Sequence, residues 1–135
     1  MAQQQIRVDE TVVDRTVDSN VVKNISIPSS LPSAERVVSV NARVEISRID
    51  VEFGYVVLSG VIRATIFYAA TDDPSNVVSL RRSFTFEDRI TVSGARPGLD
   101  AEAEALISDI DFNLINDRNI GLEFTIVTDL QLTAP

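Results

Sequence analysis

This chain predicts an all-β fold, an antiparallel β-sandwich with short turns and an N-terminal extended arm. Three observations carry that expectation. Val, Ile and Thr supply 40 of the 135 residues, the β-branched excess of pleated, half-buried strands. Apolar and polar residues alternate with a period of two over several long runs. The breaks between runs hold Pro, Gly, Asn and Asp in turn-like clusters. At this length one domain can bury a core without metal or disulfide support.

The elements follow in order. Residues 1–20 read as an arm, in which Ile6, Val8 and Val12 alternate weakly and Thr16 to Asn20 is polar. Val21 to Ile27 makes a short strand, and residues 21–135 form the single β-sandwich domain. Pro28-Ser29-Ser30-Leu31-Pro32 favours an extended linker from one sheet to the other, since proline blocks further ladder bonds. Ala42, Val44 and Ile46 share one parity and Ile49, Val51 and Phe53 the other, as a β-bulge or bend would require. Val56, Leu58, Ile62, Ala64 and Ile66 alternate next. Phe84, Phe86, Ile90 and Val92 do the same, and these two runs are the expected central core strands.

Thr71 to Asn76 is expected to be a hairpin loop. Gly94-Ala95-Arg96-Pro97-Gly98 offers two residues free to take positive φ and one fixed near −65°, which sets the chain direction before Asp100 to Leu114. In that segment Ala103 and Ala105 give way to Leu106, Ile110, Phe112 and Leu114, a second phase slip. Asn116-Asp117-Arg118-Asn119 closes the last pair of strands. Ile120, Leu122, Phe124, Ile126, Leu130 and Leu132 then share one buried face.

Composition removes whole classes of chemistry. With no His, Cys or Trp, neither a Cys/His zinc site nor a histidine-based nucleophile arrangement can be built. A net charge of −8 opposes nucleic-acid binding, which needs a clustered basic surface. All basic residues but Lys23 are Arg, which suits planar ion pairs at subunit contacts, although solvated surface pairs are the plainer account. The start Met-Ala-Gln-Gln-Gln lacks the pattern of a secretory signal, and no run approaches the roughly 18 apolar residues of a membrane span. The expectation is a protein made in the cytoplasm without its own export signal.

No catalytic, cofactor-binding or metal-binding residue is therefore expected. Glu102, Glu104, Asp109 and Asp111 could suit a hard cation, but a strand spreads alternate side chains about 7 Å apart along a line, and a solvated strand face is the simpler reading. Asp72 and Asp73 are turn residues rather than an acid and base pair. Tyr68 suits a core edge better than a sugar platform. Gly94 to Gly98 has neither the Lys-Ser/Thr nor the helix of a phosphate loop.

The expected function is assembly. An arm joined to a β-core by a proline linker can pair in its own sheet or add a strand to a neighbour's open edge, through Ile6, Val8, Val12, Val21, Ile25 and Ile27. Copies of the chain would then form a homo-oligomer, as a filament, sheet or coat layer. An ordinary first strand folded on its own subunit is an equal alternative. A monomeric module docking on another coat or surface protein is a second reading, and a carbohydrate-binding or hydrolytic sandwich a weaker third.

From about Val21 to Leu132 the chain resembles the SPOCS-type domain of endospore-forming bacteria, a family linked to spore-coat assembly. The matching order runs through Ile25-Ser-Ile-Pro28 with Leu31-Pro32, the Val37 to Val44 strand, Val57-Leu-Ser-Gly60-Val-Ile, Ile66-Phe-Tyr68 and Phe84-Thr-Phe86. It continues through Val92-Ser-Gly-Ala-Arg-Pro-Gly-Leu99 and the strands around Asn116-Asp-Arg-Asn119. The resemblance implies a structural or protein-binding role at the spore coat or cell surface and brings no catalytic residue. One such domain with no LysM module after it fits a repeating subunit better than an adaptor tethered to peptidoglycan.

Overall fold

Six strands make up most of residues 10–135, which are the residues that the computed structural model describes. They are β1 (Glu10–Ser26), β2 (Ala34–Glu52), β3 (Tyr55–Ala70), β4 (Val77–Thr91), β5 (Asp100–Asn116) and β6 (Asn119–Ala134). All pairing is antiparallel, in two three-stranded sheets of order β1-β6-β5 and β2-β3-β4. The chain enters one sheet at β1, crosses to build the β2-β3-β4 meander, and returns so that β6 inserts between β1 and β5. Among the described residues no helix is long and apolar enough to cross a membrane.

The alternation read from sequence becomes the core of a sandwich. Val56, Leu58, Ile62, Ile66 and Tyr68 of β3 meet Ile120, Leu122, Phe124, Ile126, Leu130 and Leu132 of β6, each at most 1% exposed. Burial of that order contributes roughly 1.5–3 kcal/mol for each large aliphatic side chain. Phe84 of β4 packs across the sheets on Phe124, with ring centroids 6.0 Å apart. Gly60 lets an aromatic lie over the backbone, since a Cβ there would stand 2.7 Å from the Phe86 ring and 2.5 Å from the Glu45 carbonyl oxygen.

Both phase slips are bulges. The β2/β3 register shifts between Ile46 and Arg48, and the β5/β6 register between Ile107 and Asp109, leaving Ser47 and Ser108 as the extra residues. Three other expectations need correction. Thr16 to Asn20 does not interrupt the N-terminal segment, because β1 runs unbroken from Glu10 to Ser26 and pairs with β6 of its own chain. The β4 strand is an edge, with Phe84 and Phe86 only half-buried, so the central strands are β3 and β6. Phe53 belongs to no strand. It forms the β2–β3 turn with Gly54, whose φ of 83° is the left-handed value a glycine takes readily.

The connections hold the sheets in place. The connection from Val92 to Leu99, with Gly94 to Gly98 inside it, carries the chain from β4 to β5 in the other sheet and bonds the β2–β3 turn through Val92 N–H to the Gly54 carbonyl and Gly54 N–H to the Ala95 carbonyl, both 2.9 Å. The proline linker does cross between sheets. Arg118, in the β5–β6 turn, donates from Nη1 to the carbonyls of Pro28 (3.1 Å) and Leu31 (3.0 Å). Tyr68 donates its hydroxyl to the Pro32 carbonyl at 2.7 Å. Burial pushes the Tyr68 phenol above its ordinary value, and the Arg118 charge pulls the other way.

Two measurements check this packing. Gly60→Ala should destabilise the fold by about 1–3 kcal/mol through overpacking against Phe86 and the Glu45 backbone, read from urea unfolding. Tyr68→Phe should cost about 1–3 kcal/mol by leaving the Pro32 carbonyl without its donor. The raised phenol value also sets a pH dependence. The contribution of Tyr68 is complete below the ordinary value of 10.0 and is lost as pH rises through the raised folded value. Thermal melts of the native chain should therefore fall more steeply with alkaline pH than those of Tyr68→Phe.

Candidate assembly surfaces

Strand parity sorts charge as well as apolar residues. On β6 the side chains pointing away from the core are Gly121, Glu123, Thr125, Val127, Asp129, Gln131 and Thr133. Register then places Asp14 and Asp18 of β1 on the same outer face. It adds Asp100, Glu102, Glu104, Asp109 and Asp111 of β5. Among the described residues these nine carboxylates share that face with no Lys or Arg, because Arg15 and Lys23 of β1 occupy the opposite parity. Arg15 instead reaches the other sheet, donating from Nη1 to the Thr91 carbonyl at 2.8 Å.

The outer face of the β2-β3-β4 sheet has a different character. Arg43 of β2 lies directly opposite Arg63 of β3, and Arg81 of β4 stands opposite the neighbouring Thr65. With Asn41, Thr65 and Ser83 they bound an open depression of about 440 Å³. Glu45 accepts from Arg63 at 2.9 Å and lies 3.9 Å from Arg43. These groups are well exposed, so the pairs add little stability. Among the described residues no ion pair joins Arg81 or any of the nine carboxylates opposite.

Three cross-strand pairs set like charges side by side: Arg43 with Arg63, Glu104 with Asp129, and Asp111 with Glu123. Directly opposed like charges destabilise a sheet. Glu45 offsets part of that cost for Arg43 and Arg63, while among the described residues no ion pair offsets it for the two acidic pairs, and uncompensated costs of this kind concentrate where a surface serves something outside the chain.

The structure places the residues expected to assemble as follows. Ile6 and Val8 lie outside the described residues. Ile25 and Ile27 are buried in the core cluster that holds Ile62 and Phe124, with Val21 packed against it, while Val12 packs half-buried against a second cluster around Leu130. Glu102, Glu104, Asp109 and Asp111 form a solvated strand face, as alternation implies. Asp73 caps its own turn, accepting from the Ser75 N–H at 3.1 Å and its hydroxyl at 2.6 Å. Among the described residues no three carboxylates converge to hold a metal ion.

The Arg43, Arg63 and Arg81 cluster was not visible in sequence. These residues are separated by long stretches of chain and meet only through register. Their signal was indirect, in the near-complete choice of Arg over Lys.

No match is found among the curated proteins or the solved structures. The family model described as SipL, SPOCS domain matches residues 33–115. That is well over half of the chain, spanning β2 through nearly all of β5, while β1 and β6 lie outside the matched segment. The sequence order from the Val37 strand through the Gly/Pro crossover and the sandwich it builds thus have a common account: the chain belongs to the SipL, SPOCS domain family, which points to a spore-associated role.

Proposed function

We propose that this protein is a non-enzymatic structural subunit of a spore-associated layer, built by association of copies of the same chain. Family membership supports the setting. The observation that carries assembly is the length of the sheet edges. Each sheet ends in strands of 15 to 19 residues, β1 and β5 in one and β2 and β4 in the other, whose outer backbone groups have no ladder partner among the described residues, with β2 and β5 lying close together along one side of the sandwich and β1 and β4 more open. Such rows of donors and acceptors are templates for further strands. The N-terminal segment contributes by adding to a neighbour's edge beyond the start of β1.

Sedimentation velocity on the full chain over a wide concentration range tests the reading. The expected result is a mass that grows with concentration, and a smaller mass at each concentration for a chain starting at Glu10, which keeps β1 whole. A full chain that stays at monomer mass throughout overturns assembly and favours an adaptor that docks on another coat protein.

A further inference from the structure

We propose that copies stack face to face, the Arg-bearing outer face of β2-β3-β4 in one copy lying on the carboxylate-bearing outer face of β1-β6-β5 in the next. This names a contact for the self-association proposed above, and it rests on that reading.

Each face is short of counter-charges. Among the described residues the nine carboxylates have no cation on their own face, and Arg43 and Arg63 share a single acid, Glu45. Acidic charge in general keeps a protein soluble, but solubility needs only net charge. It does not require one face to hold nine carboxylates and no described cation while the other holds arginines in excess over Glu45, Asp50, Glu52 and Glu87, nor like charges to be set directly opposite each other. A second copy supplies what both faces lack. Arginine suits the task because its planar guanidinium can hold a carboxylate with two parallel hydrogen bonds.

Size and composition agree. Three strands about 4.8 Å apart, with 15 residues in the shortest strand of either sheet at about 3.4 Å each, give a face of roughly 700 Å². Stable interfaces bury about 600–1,000 Å² per partner, so the contact needs essentially the whole face. Apolar side chains lie among the charges: Val22 (67% exposed) and Leu106 (58% exposed) on the acidic face, and Val57, Val61 and Phe67, half-buried, on the other.

Geometry sets the outcome. The two faces are on opposite sides of the sandwich, so each contact joins unlike patches and leaves one of each kind free. A head-to-tail contact between opposite sides of a flat domain does not close on itself and propagates as a stack.

Charge reversal with complementation tests the proposal, using light scattering at low salt and circular dichroism to verify folding. One variant carries Arg43→Glu, Arg63→Glu and Arg81→Glu, and the other Glu102→Arg, Glu104→Arg and Asp129→Arg. Like-charge contact costs several kcal/mol, so either variant alone should need more than about 100-fold higher concentration to assemble. An equimolar mixture should recover assembly, because each altered face then meets its complement. Native chain that assembles while folded variants assemble equally well overturns face stacking and leaves self-association standing. Folded variants whose mixture fails to recover also overturn it. A native chain that stays monomeric overturns both readings, and if it captures polyglutamate through the Arg face, the partner is an anionic polymer instead.

Discussion

Everything in this molecule depends on the strict alternation of β3 and β6, the two strands with neighbours on both sides. Their inward residues are almost all apolar and sealed from solvent, so neither sheet is stable with that face in water and each requires the other. Once the inner parity is committed to the core, the outer parity is free of it. The same period of two that builds the sandwich therefore decides which charges share a surface. A shift of one residue in either register would turn every one of those side chains to the other face.

The bulges at Ser47 and Ser108 show how that constraint is kept over long strands. The β2 and β5 strands have 19 and 17 residues, and an extra residue lets the strand twist while later side chains regain the proper face. The β1 and β4 edges are held together differently. Arg15 bonds the Thr91 carbonyl, Arg82 reaches the Ser26 carbonyl at 3.4 Å, and Ser19 bonds the Asp88 carboxylate.

Much of this was legible in the sequence. The β3 and β6 cores, the Thr71 to Asn76 and Asn116 to Asn119 turns, the linker crossing and both bulges follow from parity and turn chemistry, which are local. What was not legible depends on partners. Thr16 to Asn20 reads as a polar stretch, yet Thr16, Asp18 and Asn20, with Asp14 before them, are the outer half of a strand whose inner half is Val17, Ser19 and Val21. The polar Ser19 and the inward Arg15 and Lys23 blurred the alternation. The β4 strand looked central because Phe84 and Phe86 alternate cleanly, and periodicity gives the face of a strand without its neighbours. The Arg43, Arg63 and Arg81 cluster was hidden for the same reason, since it exists only when three strands are paired in register.

One sheet face holds nine carboxylates without a described cation and the other holds arginines in excess over its acids, and that electrostatic asymmetry is what the proposed assembly rests on. The most direct measurement is the particle mass of the native chain at fixed concentration as sodium chloride is raised from about 0.01 M to 1 M, over which the screening length falls from about 30 Å to about 3 Å. If complementary faces drive association, mass falls steadily towards the monomer as salt rises. A mass that holds constant or increases with salt would contradict that account and place the association on apolar or backbone contacts.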